Sequence, residues 1–294
     1  MPNENTAFAK DVTLSALRPL SYKDPETPRR FSDSIRETGF GVLTDHPFPA
    51  KTFEDIYAEW LDFFNGQAKY GYVPDDGSQV GYFSPEAAET AKGESIRDIK
   101  EYFHLYKISG FPKELSDRTA RYYDDASEFA GELLSWLDAE LPADVKANLS
   151  MPLMDMITGT DKTLLRVLRY PPLRGDEPPG AMRAAAHEDI NLITILPAAN
   201  EAGLQVLGSD GAWINVPGDF GALIVNVGDM LQEATGGYYR STTHRVVNPT
   251  GEAARRSRIS MPLFLHPRRD VVLSERHTAD SYLQERLREL RARV

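Results

Sequence analysis

The spacing of apolar positions changes character about halfway along the chain, from a period near 3.6 to short alternating runs. In the first half, Arg29–Thr38 predicts a helix that stops at Gly39, and FGVLT (40–44) reads as the strand after it. Ahead of them, DVTLSALRPL (11–20) predicts a short strand that ends at a proline, followed by a turn-rich loop, SYKDPETP. Phe53, Ile56, Tyr57, Trp60, Leu61, Phe63 and Phe64 recur at helical spacing and predict an amphipathic helix. A longer helix is expected over 114–141, with Leu133, Leu134, Trp136, Leu137 and Leu141 on its buried side and Pro142 at its end. A second helix follows around 143–157.

From residue 163 onward the runs are short and β-like: TLLRVLRYPP, AAAHEDINLITILP, GLQVL, AWINV, GALIVNV, HRVVNP and RISMPLF, separated by turn residues. The chain closes on a basic helical pattern, ADSYLQERLRELRARV, with Leu283, Leu287 and Leu290 on one side. The expectation is a mainly β protein with flanking helices. Its parts are a mostly helical region (1–162), a β core (163–270) and a C-terminal helix (271–294), packed as one structural unit.

Chemistry concentrates at His187-Glu188-Asp189. If this segment is strand, alternation sends His187 and Asp189 to one face and Glu188 to the other. A lone His-x-Asp is most often a hydrogen-bonded or surface pair. With a distant second histidine, however, it makes the two-His, one-carboxylate set that holds Fe(II) facially and leaves positions open. Six histidines are available: His46, His104, His187, His244, His266 and His277. His244 is the best placed, where STTHRVVNP resumes a β pattern.

Residues 163–265 resemble the iron/ascorbate branch of the 2-oxoglutarate-dependent oxygenases. Six segments agree in order: LRYPP (168–172), HEDINLITIL (187–196), GLQVL (203–207), the run from Asn226 to Asp229, STTHRVVNP (241–249) and RISMPLF (258–264). The resemblance implies an eight-stranded jelly roll and an Fe(II) site made by His187, Asp189 and His244. It also implies an Arg-x-Ser pair, Arg258 and Ser260, for the distal carboxylate of 2-oxoglutarate, with Tyr170 reaching the same group. A guanidinium fork pairs a carboxylate through two parallel charge-assisted bonds, and a hydroxyl adds a third donor. The implied reaction consumes O2, releases succinate and CO2, and hydroxylates, desaturates or cyclises a small molecule. Ascorbate is the candidate reductant.

The chain departs from the family pattern in three places. Fourteen positions separate His244 from Arg258, which predicts an enlarged loop at PTGEAARR, and a second Arg-x-Ser (Arg255, Ser257) lies inside that loop. Arg258 and Ser260 are preferred because the sequence after them continues as strand. Leu168 stands where plant members carry an asparagine two residues before the tyrosine.

Candidate substrate residues are Arg166, Tyr82 and Phe83. Arg166 shares a strand face with Tyr170, and an inward arginine needs an anionic partner, which is either a substrate carboxylate or a protein acid. The segment around Tyr82, Phe83, Tyr102 and Phe103 resembles the family stretch along the mouth of the site; core packing is the competing reading. His46 reads as a structural loop residue, His104 as a strand or helix edge, and Asp229 as a residue that caps or closes a turn. For the C-terminal helix a lid, a dimer contact and a plain surface helix all stand.

Hydrophobic residues make up 41% of the chain, enough for a large core. There is no cysteine, which excludes disulfides and thiolate metal sites and suits a reducing cytoplasm. A net charge of −11 argues against nucleic-acid binding. No signal peptide or membrane span is expected, so the expectation is a cytoplasmic enzyme whose oligomeric state is open. Two other classes compete with the dioxygenase: a 2-oxoglutarate-independent Fe(II) oxidase of the isopenicillin N synthase type, and a non-catalytic jelly-roll binding protein.

Overall fold

The computed structural model describes residues 17–75, 78–87, 96–199 and 203–291. Residues 11–16 of the expected first strand lie outside this set, as do residues 88–95 of the segment expected at the mouth. In the N-terminal region the strands are β1 (Leu20–Ser21), β2 (Phe40–Thr44), β3 (Gly81–Phe83) and β4 (Glu101–Leu105). Its helices are α1 (Thr27–Thr38), α2 (Ala50–Asn65), α3 (Arg118–Ala139), α4 (Ala143–Ala147) and α5 (Leu153–Ile157). The remainder supplies β5 (Leu164–Tyr170), β6 (Ala184–His187), β7 (Ile193–Pro197), β8 (Leu204–Leu207), β9 (Trp213–Asn215) and β10 (Leu223–Val227). These are followed by α6 (Asp229–Ala234), β11 (His244–Val246), β12 (Arg258–Ser260), β13 (Leu263–Leu265) and α7 (Ala279–Arg291).

The strands form two sheets, as the jelly-roll expectation requires. The larger runs β1-β2-β10-β7-β13-β5-β4-β3, with β12 also paired to β5, and the smaller runs β6-β11-β8-β9. The N-terminal region therefore extends the large sheet at both edges as well as packing helices on it. The ladder opposite β5 is split into β12 and β13 at Met261–Pro262. Proline has no N–H to give, and its carbonyl accepts from Arg166 N at 3.0 Å.

Alternation gives the large sheet two unlike faces. Phe103, Val167, Leu165, Ile195, Val225 and Leu263 join the main core with α2 and α3. Trp60 and Phe64 of α2 are fully buried there, as are Leu133, Leu134 and Leu137 of α3. The Trp60 indole N–H donates to Thr119 Oγ1 at 3.0 Å, tying the two helices together. On the same face Glu101 receives Lys69 Nζ at 2.8 Å, Tyr82 OH at 2.6 Å and Arg169 Nη1 at 2.7 Å. That buried carboxylate is thus paired twice, which is what its desolvation demands.

The single helix expected over 143–157 is instead two short ones, because Pro152 cannot sit in a helix interior and begins α5 as its cap. Gly39 ends α1 in the left-handed conformation, φ 74°. A Cβ there would lie 2.3 Å from Thr242 Oγ1, so only glycine lets this turn meet the segment entering β11.

Candidate metal centre and co-substrate pocket

The inner face of the large sheet is a grid of side chains set by register. Asn226, Thr194 and Phe264 stand in one row across β10, β7 and β13. Ser260, Leu168, Tyr102 and Phe83 form another across β12, β5, β4 and β3. Arg258 pairs with Tyr170, and Arg166 with His104. The small sheet closes over this face at one end, where Ala184, Val206 and Val246 pack on Phe40, Val42 and Ile224.

His187 and His244 pair directly across β6 and β11, and their ring centroids are 4.4 Å apart. Strand β6 ends at His187, so alternation does not place Asp189; it sits in the following turn. Its carboxylate is aimed by hydrogen bonds instead: Thr194 Oγ1 donates to Oδ2 at 2.5 Å and Asn226 Nδ2 at 2.8 Å. Asn191 Nδ2 donates to Thr194 Oγ1 at 2.9 Å, which leaves the hydroxyl proton for Asp189. The turn is held from behind by α6, whose first N–H groups donate to Asp189 O at 2.7 Å and Asn191 O at 3.1 Å. Gly228 makes this contact possible, since a Cβ there would be 2.2 Å from Asn191 O.

Oδ1 of Asp189 is left facing both histidines, 4.0 Å from His187 Nε2 and 3.9 Å from His244 Nε2. The Nδ1 atoms are engaged with backbone carbonyls, His187 with Ala185 at 2.7 Å and His244 with Thr242 at 3.1 Å. Each Nδ1–H therefore donates to a carbonyl and each Nε2 offers a lone pair to the centre, the arrangement a metal-binding histidine needs. Desolvation by the surrounding protein and then the neighbouring His244 lower the His187 imidazole, although 41% of its side chain stays exposed. Burial would raise the Asp189 carboxyl, but the two imidazoles and the Thr194 and Asn226 bonds outweigh it and hold it below the usual carboxylate range. Neutral imidazoles and an ionised carboxylate are the ligand forms.

A divalent ion fits. The donor atoms of His187, Asp189 and His244 lie within 4.8 Å of one another and are the one such group found among the described residues. A carboxylate co-substrate fits beside it: Arg258 is 3% exposed, and its Nε and Nη1 have no hydrogen-bond partner among the described residues. A buried guanidinium in that state is costly until an anion arrives. Its Cζ lies 5.3 Å from the Tyr170 ring centroid, and Ser260 follows two residues on, on the same face. Arg255, the rival, has a 77% exposed side chain and pairs with Glu252 in the short 3-10 turn of the enlarged loop. Ser257 accepts from Arg169 Nε at 3.3 Å on the helix side.

Arg166 reaches the inner face as expected, its Cζ 5.0 Å from the Tyr102 ring and 5.6 Å from the Phe264 ring. Its Nε donates to His104 Nε2 at 2.6 Å, so His104 carries its proton on Nδ1, which donates to Gln79 O at 2.9 Å. Phe83 is also on this face, stacked on Tyr102 at 4.9 Å. Tyr82 is not. It points to the helices, against Phe64 and Glu101, because it shares a row with Phe103. Residues missed in the sequence are Thr194, Asn226 and Phe264, and all three carried a readable signal, being on the inward parity of their strands.

His46 is a loop residue, its Nε2 2.6 Å from Gly221 O. Asp229 begins α6 and is paired with Arg286 of α7 at 2.7 Å, while Tyr282 and Leu283 pack on the core, so α7 is docked behind the turn that carries Asp189. A surface groove of about 860 Å³ lies on the opposite, helical side, lined by Phe48, Tyr122, Phe129 and Met154. None of His187, Asp189 and His244 lines it, and it carries charges of both signs. No helix among the described residues is long and apolar enough to cross a membrane.

A jelly roll with two imidazoles and one carboxylate converging on its inner face defines a mononuclear non-haem metal enzyme. Residues 162–267 match the family model of the 2OG-Fe(II) oxygenase superfamily. The chain is 52% identical to a putative oxygenase of Shewanella oneidensis, with a TM-score of 0.85 over 93% of this chain and 98% of that one. A putative 2OG-Fe(II) oxygenase family protein from Caulobacter crescentus gives 30% identity and a TM-score of 0.76 over 93% and 98%. Gibberellin 3-beta-dioxygenase 2 of Arabidopsis thaliana is 40% identical over 93% of this chain and 79% of its own length. The chain belongs to the 2OG-Fe(II) oxygenase superfamily, and its cofactor and co-substrate are Fe(II) and 2-oxoglutarate.

Proposed function

We propose that this dioxygenase oxidises a small carboxylate-bearing metabolite in the cytoplasm, with His187, Asp189 and His244 as iron ligands and Arg258, Ser260 and Tyr170 as the co-substrate pocket. The observation that carries the assignment is the pairing of a ready ligand set with the buried Arg258 guanidinium, whose Nε and Nη1 meet no hydrogen-bond partner among the described residues. Bound Fe(II) with 2-oxoglutarate and O2 supplies C–H oxidation, with succinate and CO2 as co-products.

The protein's own residues bind and orient. Thr194 and Asn226 fix one carboxylate oxygen of Asp189, so the other is presented without a search over rotamers. Arg258 and Ser260 hold the distal carboxylate, and the surrounding Tyr170, Leu168 and Tyr102, all under 6% exposed, exclude water from that pair. Arg166, flanked by Tyr102 and Phe264 and steadied by His104, orients the anionic group of the substrate. Phe83 and Phe264 offer apolar contact beside it.

Anaerobic titration of the Fe(II)-loaded protein with 2-oxoglutarate tests this reading. The weak visible charge-transfer band of the chelate is expected, and Asp189→Ala should abolish both the band and turnover while the fold survives. Iron binding without a band would favour the oxidase alternative; absence of iron binding would end the catalytic reading.

A further inference from the structure

Arg183 has no place in the site described so far, yet it is fully buried. It directly precedes β6, four positions before His187. Its backbone N–H donates to Asn248 Oδ1 at 2.9 Å, and Asn248 Nδ2 returns a bond to Ala181 O at 2.8 Å. This two-way clip joins the entry to β6 with the chain leaving β11. The guanidinium reaches further: Nη2 donates to Arg256 O at 3.2 Å, and Cζ lies 5.8 Å from the centroid of the Tyr170 ring. The same ring has Arg258 at 5.3 Å.

We propose that Arg183 is a positioning residue for the distal carboxylate of the co-substrate, fixing the aim of Arg258 through the Arg256 carbonyl and the Tyr170 ring. One side chain thereby links the metal-ligand strand to the clamp strand, and sets how far the distal carboxylate site stands from the metal. The fork geometry matters. A guanidinium is planar and can donate in its plane while its face lies on an aromatic ring, whereas an ammonium cannot do both. Removing the fork frees the loop from 251 to 257 to shift, and Arg258 follows because it begins the next strand. The consequence is selective: a 2-oxo acid that lacks the distal carboxylate does not call on this register.

The proposal rests on Arg258 as the carboxylate clamp, and the test separates the two. Arg183→Lys and Arg183→Met would be loaded with Mn(II) and titrated calorimetrically with 2-oxoglutarate and with 2-oxobutyrate. The expected result is a rise in the Kd of 2-oxoglutarate of roughly tenfold or more, the scale of a lost outer-shell partner. Metal binding and the affinity for 2-oxobutyrate should be unchanged. Equal weakening of both acids, or unchanged 2-oxoglutarate affinity, would overturn it. Hydrogen exchange on the unaltered protein gives a second readout that does not depend on variants folding. Adding 2-oxoglutarate should protect the 181–185 and 256–260 amides together, and protection of the second segment alone counts against Arg183. Arg258→Gln, measured alongside, distinguishes the failures: if it leaves 2-oxoglutarate affinity intact, the clamp reading is what fails.

Discussion

The hydroxyl of Thr194 lies 2.5 Å from Oδ2 of Asp189 and, because Asn191 donates to that same hydroxyl, its proton can only point at the carboxylate. Asn226 adds a second donor from the adjacent strand, and Oδ1 is left facing the imidazoles of His187 and His244. Thr194→Val and Asn226→Ala should each lower Fe(II) affinity, by about 10- to 100-fold, with little change in 2-oxoglutarate affinity once iron is saturating. Equilibrium iron titration reads this; unchanged affinity in the double variant would show that Asp189 needs no outer support.

Two Arg-x-Ser pairs compete in the sequence, and burial separates them. Arg258→Gln should raise the KM for 2-oxoglutarate by about 100-fold or more, since a buried charge-assisted bidentate pair is worth roughly 3 kcal/mol. Arg255→Gln should leave it unaltered. The opposite ranking in steady-state kinetics would reassign the clamp.

Arg166→Met should raise the KM for the metabolite substrate while the charge-transfer band with 2-oxoglutarate stays intact. His104→Phe, which removes the acceptor for Arg166 Nε, should do the same to a smaller degree. Loss of the band in either variant would place Arg166 in the co-substrate pocket instead.

Burial pushes the His266 imidazole down to about 4, with Asp189 and Arg166 acting in opposite directions on it. The unfolded chain has an ordinary histidine near 6.5, so it takes up the proton first as pH falls. The stability from this group is complete above about 6.5 and is lost between there and about 4. For the metal-free protein the loss should reach about 3 kcal/mol. Urea melts from pH 7.5 to 4.5 should steepen in that window, and His266→Gln should flatten the slope; a variant with the parent's slope would remove His266 from the account.

Much of the candidate site is legible in the sequence, because its residues lie in short segments that resemble the family's and that read as strand. RISMPLF reads as strand and carries the Pro and Phe of the family it resembles, whereas Arg255 follows Gly-Glu-Ala-Ala, and together these rank Arg258 above Arg255. The order of elements, the enlarged loop and the parity of Arg166 with Tyr170 came the same way. The pairing of His187 with Asp189 was reached through alternation, but β6 stops at His187 and the carboxylate is turned by partners 5 and 37 positions away. No local pattern carries that information.

Tyr82 and Phe83 show the limit from the other side. Two adjacent aromatics give a period-two reading no contrast, so the face of each is settled only by register against β4. Glu101 is similar. Its partners Lys69 and Arg169 lie 32 and 68 positions away, and nothing in the sequence near it announces a buried triad. Pro152 was visible, and taking it as a helix stop would have divided 143–157 correctly.

The division of labour between the two faces of β3, β4 and β5 also bears on how this protein can change over generations. Glu101, Phe103, Val167 and Arg169 fasten the sheet to its helices, while Phe83, Tyr102 and Leu168 look the other way. A substitution at Phe83 can therefore alter the inward surface without touching the fastening that keeps the barrel folded, whereas Tyr102 and Leu168 also wall the proposed co-substrate pocket.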